Sequence, residues 1–299
     1  MQIAANGLAI EVDDQGPPTG PPLLLIMGLG MQLTAWPEEL VAMLVARGFR
    51  VIRLDNRDAG LSQGFEAAGT PNLAWAVLRY MLHLPVHAPY TLAAMADDAF
   101  GVLDALGITK AHVCGASMGG MIAQHMAASR PERVSQLTLM MTSSGARGLP
   151  QASVKVRAAL LERRAASAHD VDSEVARLVR LFTLIGSPAF RPEPAAFRAR
   201  LRASVQRAWR PSGVARQLVA VAADGDRTPL LAQISAPTHI VHGADDPLVP
   251  AAAAHDLHAK IKGSTLEIID GMGHDLPAAL WPRFAAAITR QDPATGSRP

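Results

Sequence analysis

Residues 112–120 read His-Val-Cys-Gly-Ala-Ser-Met-Gly-Gly, and this stretch decides the fold. A β-prone run, His112–Cys114, leads directly into Gly115-Ala116-Ser117-Met118-Gly119 and then into a helical pattern that extends to Ser129. A Gly-x-Ser-x-Gly pattern is weak by itself, but between a strand and a helix it indicates a nucleophile elbow. The small flanking residues leave room for a sharp turn that projects the serine hydroxyl into a cleft.

This turn would also place the backbone N–H of Met118 at a helix N-terminus, where developing negative charge is favoured. The alternative is a glycine-rich turn in which Ser117 is incidental. A serine hydroxyl is a poor nucleophile at neutral pH and needs a base. In a strand-turn-helix elbow the partners follow later in the chain, in the order Ser, Asp, His.

The stretch His-Gly-Ala-Asp-Asp-Pro at 242–247 follows a predicted strand and offers the carboxylate. Asp246 precedes Pro247, so we expect it to point back over the carboxyl edge of the sheet. Asp245 is the competing candidate. Capping the next helix is the structural alternative for either aspartate.

The stretch Gly-Met-Gly-His-Asp at 271–275 follows the last predicted strand and offers the base. A histidine beside glycines on a tight loop can reach across to Ser117, and we predict that His274 is the general base. Asp275 is expected to be structural. Structural roles are the alternatives for the other histidines: His255 and His258 lie on a predicted surface helix, and His83 and His87 lie in a lid region. Three more lie next to or within strands, where a buried histidine with its hydrogen bonds satisfied is the common case, namely His112, His239 and His242.

The loop Met27-Gly28-Leu29-Gly30-Met31 follows the first predicted parallel strand, Leu23–Met27. Its glycines allow the backbone to approach a ligand closely. We predict that the Leu29 N–H is the second donor of an oxyanion hole. Predicted substrate-binding residues are the other four loop positions, Met27, Gly28, Gly30 and Met31. The alternative is a loop that only turns into the following helix.

Strands alternate with helices along most of the chain, which predicts an α/β fold with a doubly wound, mostly parallel, eight-stranded sheet. An Asn-Gly pair at residues 6–7 predicts an N-terminal hairpin with a type I′ turn. The alternation stops between residues 143 and 228, which predicts an inserted helical cap. The catalytic core is then residues 1–142 and 229–290, and the polar residues 291–299 are expected to form a flexible tail.

The composition excludes several classes of protein. Of 299 residues, 49% are hydrophobic and 18% charged, which excludes an intrinsically disordered chain. Aromatic residues are 4%, which argues against a stacking platform for single-stranded nucleic acid. There is one cysteine, no signal-peptide pattern and no apolar run of about 20 residues, so we expect a soluble, cytoplasmic protein. No cluster has metal-ligand spacing, and neither a metal nor an organic cofactor is expected.

The charge is uneven. Residues 147–216 hold 14 Lys or Arg and five Asp or Glu, a net charge of +9, whereas the rest of the chain carries −7. The basic segment either attracts an anionic substrate or consists of solvated helix faces; without a binding motif, a nucleic-acid role is disfavoured. The apolar stretch 74–85 is a second lid element or a dimer contact, so a monomer and a homodimer both remain open.

Five blocks, in order, resemble the α/β-hydrolase family and its cap-bearing esterase, haloperoxidase-like and C–C hydrolase relatives. They are MGLG (27–30), LDNRDAGLS (54–62), GASMGG (115–120), HGADDPLVP (242–250) and GMGHDLP (271–277). The resemblance covers nearly the whole chain. It implies Ser117 as nucleophile, His274 as base and Asp246 as the residue that orients the base, with Leu29 and Met118 as backbone donors.

Two blocks depart from the usual family pattern. Many members have His-Gly where this chain has Met27-Gly28, and many have Asp-x-Arg-Gly-x-Gly where residues 55–60 read Asp-Asn-Arg-Asp-Ala-Gly. Both departures are similar to polyketide methyl-ester hydrolases of the aclacinomycin methylesterase type. The resemblance therefore implies a carboxylesterase that cleaves a small or medium hydrophobic ester with water. A cofactor-free perhydrolase or haloperoxidase-like enzyme, a C–C bond hydrolase, and a non-catalytic ligand-binding protein are the alternatives.

Overall fold

An eight-stranded sheet forms the centre of the computed structural model, which describes residues 1–162 and 170–290. The strands are β1 (Gln2–Ala5), β2 (Leu8–Gln15), β3 (Pro22–Ile26), β4 (Arg50–Leu54), β5 (Ala111–Ala116), β6 (Val134–Met140), β7 (Thr238–Gly243) and β8 (Thr265–Ile269). Their order is β1-β2-β4-β3-β5-β6-β7-β8. Strand β2 pairs antiparallel with β1 and β4, and the other pairs are parallel. The predicted mostly parallel, eight-stranded sheet is confirmed.

Eleven α-helices occur in the described residues. They are α1 (Glu38–Ala46), α2 (Leu73–Met81), α3 (Leu92–Ala105), α4 (Met118–Ser129), α5 (Val154–Leu160), α6 (Val171–Ile185), α7 (Pro194–Arg207), α8 (Pro211–Asp224), α9 (Thr228–Leu231), α10 (Ala252–Lys260) and α11 (Trp281–Ile288). The start of α3 is capped by Thr91, whose hydroxyl accepts the Ala94 N–H at 3.0 Å. A 3₁₀ turn, Ala278–Leu280, directly precedes α11.

The N-terminal hairpin forms as its Asn-Gly pair predicts. Asn6 and Gly7 join β1 to β2 with φ angles of 50° and 74°. Two consecutive positive φ values define the type I′ turn, and its twist matches that of the two strands.

Helices cover both faces of the sheet. Leu24 and Ile26 of β3 pack into a cluster with α3, α4 and α10, whereas Leu23 and Leu25 pack with α1 and α11 on the opposite face. A strand buried on both faces explains why its sequence is continuously apolar. The lone cysteine, Cys114, points into the second cluster and is fully buried. Burial raises the pKa of its thiol.

Helices α5 to α8 follow β6 and precede β7. We call residues 143–228 the helical insertion and propose that they form a cap on a core of 1–142 and 229–290. Residues 163–169, within this predicted cap, and the predicted tail, 291–299, lie outside the described residues.

Arginines of the helical insertion bind carboxylates of the core. Arg207 contacts Asp55 at 2.8 Å, and Arg216 contacts Asp58 at 2.7 Å. Both aspartates are fully buried and belong to the Asp-Asn-Arg-Asp stretch at 55–58. Neither interpretation of the sequence predicted these two contacts, in which Arg216 is 2% and Arg207 21% exposed. Other basic residues of the insertion, among them Arg180 and Arg191, are exposed, as solvated helix faces predict. Arg207 and Arg216 connect the insertion to the core.

The apolar stretch 74–85 forms most of helix α2 and the turn that follows it. Its large side chains are exposed, with Trp75 at 56% and Met81 at 67%. Within the residues that the structure describes, no helix is long and apolar enough to cross a bilayer.

Candidate active site

Ser117 lies at a sharp turn between β5 and α4. Its φ and ψ angles are 55° and −121°, a left-handed conformation that is strained for a side chain with a Cβ atom. The turn requires glycine on both sides. A Cβ atom at Gly115 would lie 2.2 Å from the Gly119 carbonyl oxygen, and one at Gly119 would lie 2.0 Å from the Ile26 carbonyl oxygen. The Gly-x-Ser-x-Gly pattern therefore allows α4 to pack closely against β3 and β5.

The structure brings Ser117, His274 and Asp246 together from three different loops. The Ser117 Oγ lies 3.0 Å from the Nε2 of His274, and the Nδ1 of His274 lies 2.6 Å from Asp246 Oδ2. The side chains of His274 and Asp246 are 7% and 0% exposed. Because an ionised carboxylate only accepts hydrogen bonds, the His274 proton resides on Nδ1, and Nε2 is free to accept the serine proton.

Backbone groups hold the Asp246 carboxylate in place. Its Oδ1 accepts the N–H groups of Leu248 at 2.9 Å and Val249 at 2.8 Å, which leaves Oδ2 for His274. The competing candidate, Asp245, instead accepts the Gly271 N–H at 2.8 Å. It thereby joins the loop after β7 to the loop after β8.

His242 lies behind Asp246, a placement that the sequence reasoning missed. Its Nε2 lies 2.7 Å from the Val249 carbonyl oxygen and 3.5 Å from Asp246 Oδ2. Burial lowers the pKa of His242 more than the nearby Asp246 charge raises it, so the ring is neutral near pH 7. A neutral His242 does not compete with His274 as the ion-pair partner of Asp246. The sequence feature that could have indicated this contact is the position of His242 at the end of a strand, four residues before Asp246.

The helical insertion supports the loop that carries His274. The His274 N–H donates to the Ile185 carbonyl at 2.7 Å, and the Gly273 N–H donates to Ser187 Oγ at 2.9 Å. Asp275 accepts the backbone N–H of Ser187 at 3.1 Å and also its hydroxyl. Burial raises the pKa of Asp275 despite these bonds. Asp275 thus connects the histidine loop to the end of α6, in agreement with its expected structural role.

The loop 27–31, which we call the oxyanion loop, passes directly beside Ser117. A Cβ atom at Gly28 would lie 3.1 Å from the Ser117 Cβ. The Met31 N–H donates to the Gly28 carbonyl at 3.1 Å, and Gly30 has a φ of 67°. Within the described part of the chain, neither the Leu29 N–H nor the Met118 N–H has a hydrogen-bond acceptor. Leu29 and Met118 therefore remain the candidate backbone donors of an oxyanion hole.

The other predicted substrate-binding positions have different surroundings. Met27 is 6% exposed and packs into the core against α1 and α11, while Met31 lies at the edge of the same cluster. Gly30 faces α8, since a Cβ atom there would lie 2.7 Å from a methyl group of Val214. Of these loop residues, Gly28 is the one that the structure places against Ser117.

Comparison with known proteins finds a family and several relatives. The model of the alpha/beta hydrolase fold family matches residues 21–277. The chain is 32% identical to rhodomycin D methylesterase DauP of Streptomyces sp. (strain C5) over 96% of this chain and 95% of the relative. It is 36% identical to the 2-hydroxymuconate semialdehyde hydrolase of Pseudomonas sp. (strain CF600), over 46% of this chain and 42% of that protein.

Among solved structures, a thermophilic esterase from Thermogutta terrifontis is similar along its whole length. It superposes with a TM-score of 0.70 at 25% identity and covers 96% of each chain.

Proposed function

The chain belongs to the alpha/beta hydrolase fold family, and on that premise we propose that it is a serine carboxylesterase. The observation that carries this proposal is the continuous set of hydrogen bonds from Ser117 through His274 to Asp246. Full-length similarity to a methylesterase supports ester hydrolysis as the reaction.

Acylation is the first half of the proposed reaction. Ser117 Oγ attacks the ester carbonyl while the Nε2 of His274 takes the hydroxyl proton. The resulting imidazolium is stabilised by Asp246, whose second oxygen is already held by two backbone N–H groups. The tetrahedral oxyanion accepts the N–H groups of Leu29 and Met118. One such donor contributes on the order of 10²–10³ in rate.

Acylation ends when His274 gives its proton to the departing alkoxide, the alcohol leaves and the acyl group remains on Ser117. In deacylation, His274 takes a proton from water as the water oxygen attacks the acyl carbonyl. The imidazolium then returns that proton to Ser117 Oγ as the bond to the acyl group breaks and the acid is released. Each step uses the same imidazole and the same two N–H groups, so no additional residue is required.

A methyl ester is the substrate class that we favour. Both departures from the common family pattern, Met27-Gly28 and Asp58 at the fourth position of 55–60, resemble polyketide methyl-ester hydrolases. DauP, named as a methylesterase, matches almost the whole chain at 32% identity.

The test uses a panel of p-nitrophenyl esters of increasing acyl length, together with methyl esters assayed by methanol release. Ser117→Ala should lower kcat by on the order of 10⁶, because the nucleophile is removed. Ser135→Ala, on the exposed face of β6, is the matched control and should retain the activity of the wild type. Wild-type activity in Ser117→Ala would refute the proposal.

A pH profile of kcat/KM tests the base separately. The rate should fall on the acid side, where a protonated His274 cannot accept the serine proton. Asp246→Asn should lower kcat by about 10⁴, because the amide no longer holds the required tautomer. A rate independent of pH down to pH 4 would exclude His274 as the base.

A further inference from the structure

A buried glutamine of the helical insertion bonds directly to the oxyanion loop. Gln217 lies on α8 and is fully buried. Its Oε1 accepts the Gly30 N–H at 2.8 Å, and its Nε2 donates to the Arg57 carbonyl at 2.7 Å. The partners permit one orientation of the amide, because Gly30 offers only a donor and Arg57 only an acceptor.

The bond to Gly30 acts on the part of the loop that sets the Leu29 N–H. Residues 28–31 form a β-turn, closed by the hydrogen bond from Met31 to Gly28, with Gly30 at its third position and at positive φ. A positive φ at this position is typical of a type II turn. The central peptide of such a turn can flip, and the Leu29 N–H lies on the peptide next to it. Gln217 holds the central peptide in one orientation.

The Nε2 group of Gln217 binds the backbone of Arg57, a residue whose own side chain is held firmly in place. The Arg57 guanidinium makes two hydrogen bonds to Asp98, each 2.6 Å long, and lies over the neighbouring rings of Phe65 and Tyr90 at 5.1 Å from each centroid. The Arg57 backbone cannot move without disturbing this buried cluster. Gln217 therefore holds the oxyanion loop at a fixed position relative to the core.

Close packing of α8 leaves the loop little room on that side. Val214, one turn before Gln217 on the same helix, contacts Gly30 so closely that a Cβ atom there would lie 2.7 Å from it. At Gly213, a Cβ atom would lie 2.2 Å from the Asp58 carbonyl oxygen. The face of α8 formed by residues 213–217 is thus matched to the oxyanion loop and to the loop after β4.

We propose that Gln217 is a positioning residue that fixes the oxyanion loop so that the Leu29 N–H points at the reacting carbonyl. Gln217 does not touch the substrate. It acts through Gly30, and its role rests on the proposed serine hydrolase function. The helical insertion then supports the oxyanion loop through α8 and the His274 loop through the end of α6.

The test compares wild type with Gln217→Met, which keeps the length and loses both hydrogen bonds. Gln217→Asn is the second variant; it keeps an amide that is too short to reach both partners. Gln124→Met is the matched control. Gln124 is also fully buried, and its amide joins the Ser143 carbonyl to Arg227.

Two readouts separate positioning from stability. The first is kcat and KM for a p-nitrophenyl ester. The second is the rate at which diethyl p-nitrophenyl phosphate phosphorylates Ser117, followed by release of one equivalent of p-nitrophenolate and by mass. This reaction needs the nucleophile and the oxyanion hole, but it does not depend on which carboxylic ester is the natural substrate. Urea unfolding of each variant measures the loss of stability.

Both Gln217 variants should lose about 10- to 100-fold in kcat and in phosphorylation rate, with KM within about threefold of wild type. Gln124→Met should lose comparable stability yet retain both rates within about twofold. Wild-type rates in a folded Gln217 variant, or an equal loss in Gln124→Met, would overturn the positioning role. If the wild type is not phosphorylated at Ser117, the proposed function fails and the role of Gln217 fails with it. Normal phosphorylation of wild type and Gln217 variants alike refutes the positioning role alone.

Discussion

Removing the guanidinium of Arg216 should destabilise the protein strongly. Arg216 makes two hydrogen bonds to Asp58, from Nε and Nη2, each 2.7 Å long. The side chains are 2% and 0% exposed, and Tyr90 donates a third bond to the same carboxylate. Arg216→Met keeps most of the apolar stem but leaves the Asp58 carboxylate buried without its counter-charge.

The expected loss of stability in Arg216→Met follows from the burial of the Arg216–Asp58 ion pair. Removing one partner of a buried ion pair costs about 3–5 kcal/mol, because the remaining charge is uncompensated. For a chain of this size, that corresponds to a fall in Tm on the order of 10 °C. The control is Arg180→Met. Arg180 pairs with Glu162 on the surface, where the side chains are 60% and 41% exposed, and such pairs contribute about 1 kcal/mol or less.

The pH dependence of the free energy of unfolding tests the Arg216–Asp58 pair independently. Burial by itself would raise the pKa of Asp58, but the hydrogen bonds from Arg216, Tyr90 and the Phe65 N–H together outweigh it and hold the pKa below its ordinary value. A carboxyl with a lowered pKa in the folded state stabilises the fold above its ordinary pKa, and this stabilisation is lost as the pH falls through the folded-state value. The difference between the unfolding free energies of wild type and Arg216→Met should therefore narrow as the pH falls below the ordinary aspartate pKa of about 3.9 and toward the lower folded-state value.

Urea unfolding curves at pH 7 and at steps down to pH 3 measure both effects. If Arg216→Met costs no more than Arg180→Met, the buried pair does not connect the helical insertion to the core as we infer. A difference that stays constant in acid would show that Asp58 does not titrate as the geometry requires.

Three further perturbations test other parts of the fold. The Cys114 thiol should react with Ellman's reagent only after unfolding, since it is fully buried and burial raises its pKa; rapid reaction of the native protein would contradict this. Burial lowers the pKa of His112 to about 3, so below about pH 6.5 the unfolded chain takes up a proton that the fold excludes. As the pH is lowered below about 6.5, the free energy of unfolding should fall by up to about 1.4 kcal/mol per pH unit. His112→Gln should make this fall less steep in urea titrations. Parallel pH profiles for wild type and His112→Gln would refute the prediction. Gly28→Ala should lower kcat by about tenfold or more while Tm stays nearly constant, because its Cβ atom would crowd Ser117 at 3.1 Å; an unchanged kcat would contradict the proximity of the loop.

The sequence by itself determined the features whose physical cause is local. The elbow follows from small residues around Ser117, since a single Cβ atom at Gly115 or Gly119 would clash with backbone. The buried parallel strands could be predicted from the sequence because burial on both faces requires a continuously apolar run. The candidates Asp246 and His274 were identified because each follows a strand, and parallel strands deliver their carboxyl ends to one edge of the sheet.

Only the tertiary structure decided how the helical insertion is used. Gln217 reaches Gly30 across 187 positions, and Arg216 reaches Asp58 across 158. A hydrogen bond between such distant residues depends on how α8 packs, and it leaves no periodicity or spacing in either segment. From the sequence, the arginines could be assigned only to a substrate or to solvent. Packing against the core instead places Arg216 on a buried carboxylate and Gln217 on the oxyanion loop.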